Sequence, residues 1–355
     1  MTGSAADIPR RMRYNANPMA AKDSLHAIAV IGAGRWGGAV AIFLAERGCA
    51  VRLWAREPEV AEEIRARRTN PFLPGFRFPD AVAATDRLAE AVAGADLIAL
   101  AVPVQFLRAV LKELAPLDSS CPILGINKGI EQGTCAIVPE IVREELGPRP
   151  YAHLGGPCFP EGLLNPRTPV AETVASDDPA LARAIQDLFA WRNFRPYRSA
   201  DVRGVAVLGA MKNVYAIAAG AAAGLGLGQE SVAVLVTRAL AELRALTRAM
   251  GIPETTVQGL SGLGDLILTC YSPASSHNRR LGVALGEGAP LDRVLAALGP
   301  RIAEGYYTAA CVHELARRYE VEMPIATGVR RVLYEGAAVK DILTEWMQRP
   351  LKSEA

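Results

Sequence analysis

Lysine is scarce in this chain: six of its 39 basic residues are lysine, at positions 22, 112, 128, 212, 340 and 352, and the rest are arginine. A chain that carries its charge as arginine has a specific use for a lysine set among apolar residues, because only lysine can release its proton near neutral pH. An excess of one charge sign is missing too, with 39 basic residues against 37 acidic ones. Nothing is left over to neutralise a nucleic-acid backbone, so no nucleic-acid partner is expected and a small polar metabolite is. The six cysteines, Cys49, Cys121, Cys135, Cys158, Cys270 and Cys311, form no C-x-x-C pair and have no histidine at ligand spacing. Neither a disulfide framework nor a metal site is expected, and reduced thiols point to the cytoplasm. Residues 1–24 contain Arg10, Arg11 and Arg13 but no apolar core segment, so they read as a flexible, solvated tail and not as a secretory signal.

The chain has 355 residues, half of them apolar and 21% charged, which suits about two globular domains and excludes a disordered or fibrous chain. The longest apolar stretch, residues 204–228, is long enough to raise the question of a membrane span. Lys212, Asn213 and repeated glycines interrupt it, so a buried helix is expected instead.

From residue 27 short apolar runs alternate with amphipathic segments. Strands are expected at 27–31, 49–54, 96–102 and 122–126, with helices at 38–47, 58–68 and 104–114. Beyond about residue 200 strand signals vanish and helical patterns take over, at 201–224, 230–250, 278–286, 307–319 and 325–336. The expected fold is an α/β Rossmann domain, a doubly wound parallel sheet, followed by an all-helical C-terminal domain. Residues 25–199 are assigned to dinucleotide binding and 200–345 to substrate binding and catalysis.

Gly32-Ala33-Gly34-Arg35-Trp36-Gly37 is a G-x-G-x-x-G that follows a strand and opens a helix, the context a dinucleotide requires. Gly32 permits the tight turn, Gly34 lets the backbone approach a pyrophosphate, and Gly37 allows helix and strand to pack closely. About 20 residues on, where an acidic residue would read the adenosine ribose, the chain offers Trp54-Ala55-Arg56. A cation there suits a 2′-phosphate, so NADP should at least be accepted, although Arg56 as a solvated loop residue beside Glu57 stays open. Lys128 follows a strand in Ile126-Asn127-Lys128-Gly129, and Lys212 lies inside the apolar helix, where Leu208, Tyr215, Ala216 and Ala219 share its face. Desolvation lowers a lysine pKa toward neutrality, which suits a proton donor to a carbonyl; a surface-seeking lysine or one paired with a buried carboxylate is the alternative. Ser261-Gly262-Leu263-Gly264-Asp265-Leu266 and Ser275-Ser276-His277-Asn278-Arg279-Arg280 resemble ligand loops feeding helices, and ordinary caps or turns would look the same.

Taken in order, G-A-G-R-W-G, W-A-R-E-P-E, N-K-G, G-G-P, L-G-A-M-K-N, S-G-L-G-D-L, N-R-R and A-E-G-Y resemble the NAD(P)-dependent glycerol-3-phosphate dehydrogenase family over residues 26–340. The resemblance implies NAD(P)H, reversible reduction of dihydroxyacetone phosphate to sn-glycerol 3-phosphate, a role in phospholipid synthesis and a homodimer as the assembly to consider. By position it makes Lys212 the catalytic acid/base and Asp265 its polar neighbour. It places Lys128, Gly156, Cys158, Ser276, His277, Asn278 and Arg279 around the substrate. Gly32, Gly34, Arg35, Trp36, Gly37, Arg56, Lys128, Pro160, Arg279, Ile302 and Glu304 fall on the coenzyme.

The chain departs from that pattern at the substrate end. Where the family reads G-P-[Ser/Thr]-x-A-x-E, this chain has Gly156-Pro157-Cys158-Phe159-Pro160-Glu161-Gly162, and where the family has a phosphate-gripping arginine before Asn278 it has His277. Arg279 and Arg280 are nearby substitutes. A second reading therefore stays open, a paralogous reductase with the same fold and Lys212 but another small keto substrate; a non-catalytic coenzyme-binding protein is the third.

Overall fold

The computed structural model describes residues 25–117, 121–272, 276–299, 303–351 and 353. The N-terminal tail, Ser275 and Ile302 lie outside the described residues. The first half contains strands β1 (Ala27–Ile31), β2 (Ala50–Trp54), β3 (Val82–Thr85), β4 (Leu97–Leu100), β5 (Ile123–Gly125), β6 (Tyr151–Gly155), β7 (Val170–Ala175) and β8 (Phe194–Ser199). Between them run α1 (Arg35–Glu46), α2 (Pro58–Arg67), α3 (Leu88–Val92), α4 (Val104–Leu114), α5 (Val138–Leu146), α6 (Pro160–Leu164) and α7 (Pro179–Phe189). The strands form one sheet in the order β3-β2-β1-β4-β5-β6-β7-β8.

Both faces of this sheet are covered. Along β1, Ile28 and Val30 pack into one core with Phe43, Phe189 and Phe194, while Ala29 and Ile31 pack into another with Leu107 and Ile141. Burial on two sides is why β1 and β4 read as unbroken apolar runs. Pairing is parallel except between β6 and β7, which run antiparallel, so the all-parallel expectation needs that correction. The strands β3, β6, β7 and β8 lie outside the expected set. β3 is only four residues long, VAAT, and the others carry polar or proline residues among their apolar ones, such as His153, Glu172 and Pro196.

After Ser199 the chain is helical: α8 (Val202–Gly224), α9 (Gln229–Ala249), α10 (Glu254–Gln258), a π turn over Leu260–Gly264, α11 (Asp265–Tyr271), α12 (His277–Gly286), α13 (Leu291–Leu298), α14 (Glu304–Arg318), α15 (Pro324–Tyr334) and α16 (Val339–Met347). Helix α8 is the axis around which the others pack, and Leu208, Met211, Tyr215 and Ala219 are fully buried. By length and composition α8 is apolar enough to cross a membrane, and 89% of its most apolar window is buried inside the protein. Its glycines answer a packing need: a Cβ at Gly220 would lie 2.0 Å from the Arg279 carbonyl oxygen, and one at Gly282 would lie 2.0 Å from that of Ile217. Helices α8 and α12 thus touch backbone to backbone, which carries the Asn278-Arg279 segment against the helix that bears Lys212.

Candidate active site

The carboxyl ends of the strands set the site. Sequence order reverses at β1, which has β2 on one side and β4 on the other, and open α/β sheets bind ligands at such a switch point. There Gly32, at φ +114°, donates its N–H to the Trp54 carbonyl at 3.0 Å. A Cβ at Gly37 would lie 2.0 Å from the Gly32 oxygen, so α1 can begin this close to β1 only with glycine at that position. Helix α1 starts at Arg35, three residues earlier than the pattern suggested, because the glycine loop itself forms its first turn. A Cβ at Gly34 would meet nothing within 4 Å, and no side chain caps the helix that starts there. Open space before an uncapped helix N-terminus fits a dinucleotide pyrophosphate.

The neighbours of this loop are placed as follows. Trp36 is partly buried against the core, and Arg35 is ion-paired with Glu161 at the start of α6. The acidic residue that arrives one position early in the family pattern therefore closes onto the glycine loop. Asn70, in the turn after α2, donates to the Ala33 carbonyl at 2.8 Å and braces the loop from behind. Pro160 is buried at the first turn of α6. Arg56 lies at the far end of β2, 62% exposed, with its guanidinium 2.7 Å from Glu57 and 5.4 Å over the Phe106 ring. Glu304, at the start of α14, accepts the Val104 N–H at 3.1 Å, and a Cβ at Gly129 would lie 2.7 Å from its other oxygen. It joins the N-K-G loop to the helical half, and burial pushes its carboxyl up to about 7.

The chemistry gathers where α8, α11 and the loops after β5 and β6 meet. Lys212 is buried, and its Nζ donates to Asp265 Oδ1 at 2.5 Å and to Thr269 Oγ1 at 2.8 Å. The other carboxylate oxygen of Asp265 receives the Lys128 ammonium at 2.6 Å, and Lys128 also donates to the Gly156 carbonyl at 2.9 Å. Asp265 is the first residue of α11 and directly follows the π turn, a local widening of the helix that is frequent at functional sites. Burial pushes the Lys212 amine down to about 8, with the Asp265 charge opposing and the Lys128 charge assisting. Burial also works against the Lys128 ammonium, but Asp265 and Glu172 outweigh it and hold that group above the usual lysine value. The expectation that Lys212 projects into a largely apolar surface is corrected: the helix around it is apolar, while its amine ends in a cluster of charges. The buried-carboxylate alternative and the tuned-lysine reading describe one arrangement.

The remaining residues expected at the substrate end divide into two groups. Gly156 and Cys158 line the loop after β6 beside Lys128, and burial pushes the Cys158 thiol well above its ordinary value. Ser276 caps α12 by accepting the Arg279 N–H at 3.2 Å, and His277 follows it, half-buried. Asn278 is committed internally, donating to Asn213 Oδ1 at 2.9 Å and accepting the Gly305 N–H at 2.8 Å, so it ties α8, α12 and α14 together. Arg279 gives its Nε–H to the Cys270 carbonyl at 2.9 Å. Thr269 and Glu172 were not anticipated. Thr269 sits one turn after Asp265, a spacing visible only once α11 is known, whereas the signal for Glu172 is that of a lone acid in Val170-Ala171-Glu172-Thr173-Val174. Among the described residues no three His, Cys, Asp or Glu side chains converge as a metal site.

The family model for the NAD-dependent glycerol-3-phosphate dehydrogenase N-terminus matches residues 27–182, and that for the C-terminus matches residues 201–344. The glycerol-3-phosphate dehydrogenase (NAD(P)+) of Rhodospirillum rubrum is 46% identical over 331 residues, covering 92% of this chain and 93% of the relative. That of Geobacter sulfurreducens is 43% identical over 332 residues, covering 92% and 98%. The crystal structure of glycerol-3-phosphate dehydrogenase from Coxiella burnetii superposes with a TM-score of 0.87 at 35% identity, covering 92% of this chain and 99% of that one. With the glycine loop, the paired lysines and matches along both halves, this chain belongs to the NAD-dependent glycerol-3-phosphate dehydrogenase family.

Proposed function

We propose that the chain catalyses the reversible NAD(P)-dependent reduction of dihydroxyacetone phosphate to sn-glycerol 3-phosphate, with residues 25–199 holding the coenzyme and 200–345 supplying the acid/base and most of the substrate contacts. The observation that carries this reading is Lys212, buried on α8 and hydrogen-bonded to Asp265 at the carboxyl edge of the coenzyme sheet. When bound, the nicotinamide supplies hydride chemistry at the substrate's central carbon. Lys212 supplies the proton: as an ammonium it donates to the carbonyl oxygen in reduction, and as an amine it removes the hydroxyl proton in oxidation. A group near 8 can serve in both states at physiological pH. Asp265 and Thr269 take two of its N–H bonds and leave the third for the substrate, and Lys128 brings positive charge toward the phosphorylated substrate. Gly32, Gly34, Arg35, Trp36 and Gly37 hold the pyrophosphate end, Arg56 the adenosine end, and Pro160, Arg279, Ile302 and Glu304 the rest of the coenzyme. Gly156, Cys158, Ser276, His277, Asn278 and Arg279 complete the substrate's surroundings.

The six free cysteines support a reducing, cytoplasmic setting. Exposed Val234 on α9 and Met347 on α16, beside an apolar groove, support a homodimer. Steady-state kinetics with dihydroxyacetone phosphate and both reduced coenzymes tests the proposal, and turnover with either one supports it. His277 and Cys158, departing from the family pattern next to this site, favour the second reading of another small keto substrate. A folded protein that binds NADPH, leaves dihydroxyacetone phosphate unchanged and reduces another small ketone would decide for it.

A further inference from the structure

Glu172 lies on β7 with none of its surface exposed, and neither of its carboxylate oxygens has a hydrogen-bond partner. Its Oε1 is 3.9 Å from the Lys128 ammonium. The backbone of Gly156 runs directly over it: a Cβ on that glycine would lie 2.8 Å from Glu172 Cα and 3.1 Å from its Cγ. Glu172 is thus sealed beneath the loop that also anchors Lys128, out of reach of the substrate and in line with the lysines. A buried carboxylate without hydrogen bonds is costly, and an apolar residue would fill this strand position better. Its neighbours on the same face, Val170 and Val174, are such residues.

Lys128 Nζ faces both Glu172 and Asp265, and Asp265 in turn binds Lys212, so four ionisable groups form the chain Glu172, Lys128, Asp265, Lys212. We propose that Glu172 is a positioning residue for proton transfer: acting through Lys128 and Asp265, it sets how firmly Lys212 holds its proton. This rests on the reading of Lys212 as the acid/base. With all four groups ionised the chain is neutral, and with Glu172 neutral it carries one net positive charge. Loss of the Glu172 charge makes the Lys212 ammonium easier to deprotonate. Burial and these neighbours place the Glu172 carboxyl at about 8, in the same range as Lys212.

The other groups packed around Glu172 do not substitute for it. Across β8 its register partner is the uncharged Pro196, and Arg195 and Arg198 on that strand are exposed. On α7, Arg183 and Asp187 pair with each other at the surface. His153 on β6 is pushed by burial to about 3 and stays neutral against Tyr151, and the Cys158 and Cys270 thiols are pushed up by burial and stay protonated.

The test is the pH profile of kcat/KM for sn-glycerol 3-phosphate oxidation in the full chain carrying Glu172→Gln, with Glu172→Met as an apolar replacement of similar size should the amide fail to fold. NADPH fluorescence titration and thermal unfolding establish folding. The ionisation near pH 8 is expected to fall, by up to about one unit, because Glu172 is itself only part-ionised in that range. Glu172→Asp, which keeps the charge, should return it most of the way. The pH dependence of Lys212 acetylation in the coenzyme-free protein, read by peptide mass spectrometry, should move in the same direction. A purely structural Glu172 would lower activity and leave the ionisation in place. An ionisation unmoved in the folded Gln or Met variant, yet abolished in Lys212→Ala, overturns the role of Glu172 alone. One that survives in Lys212→Ala overturns the assignment of Lys212 and this proposal with it.

Discussion

Asp265 holds Lys212 on one carboxylate oxygen and Lys128 on the other, at 2.5 and 2.6 Å. The three residues lie on α11, on α8 and in the loop after β5, so one side chain fastens the helical half to the sheet. The bridge also separates the lysines by role. Lys212, the more deeply buried, is pushed down toward neutrality, while Lys128 is held firmly charged. A lysine able to release its proton near neutral pH and one held charged thus come from the same residue type through a difference in surroundings.

Replacing Lys212 with Ala should leave NADPH binding near normal and lower turnover by about 10²-fold or more, the usual scale of general acid catalysis. Arginine at 212 should not restore it, since guanidinium keeps its proton at any working pH. Single-turnover reduction of dihydroxyacetone phosphate reads both variants. A Lys212→Arg protein with a tenth of the wild-type rate would rule out proton transfer by this residue.

Arg56 follows the end of β2, paired with Glu57 and covered on one face by Phe106. The pairing tempers its charge without hiding it, as it stays 62% exposed. Arg56→Asp should raise the Michaelis constant for NADPH several-fold more than that for NADH, because repulsion of a 2′-phosphate replaces attraction. Equal changes for the two coenzymes would mean that Arg56 only faces solvent.

His277 opens α12 beside the Ser276 cap, and the Nε–H of the nearby Arg279 is already committed to the Cys270 carbonyl. If His277 stands in for the family's arginine, His277→Arg should lower the Michaelis constant for dihydroxyacetone phosphate several-fold, because guanidinium is always charged and binds phosphate bidentately. A variant with no gain would place the phosphate on another cation.

Much of this was legible before any coordinates, for a local reason. The glycine loop, its strand and its helix lie within 20 residues, and the rarity of lysine marked Lys128 and Lys212 by composition alone. What was not legible depends on distance along the chain. Lys128 and Asp265 are 137 residues apart, and no periodicity says that they meet. Strand β7 is hard to read because Glu172 breaks the apolar run that would announce it. Nor does local pattern say that the Asn278 amide closes on Asn213 and Gly305, a partnership that the α8 and α12 glycines permit by letting those helices touch.

The central claim is that Lys212 moves the substrate proton and titrates near 8. Reduction consumes one proton, so the ratio of forward to reverse kcat/KM must change tenfold per pH unit in any enzyme of this kind; only the position of the breaks is informative. The deciding measurement is kcat/KM for dihydroxyacetone phosphate reduction and for sn-glycerol 3-phosphate oxidation from pH 6 to 10. If Lys212 is the acid/base, reduction is level below about 8 and falls above it, oxidation is level above about 8 and falls below it, and this common break is lost in Lys212→Ala. A break elsewhere, or one that persists without the lysine, would contradict the account.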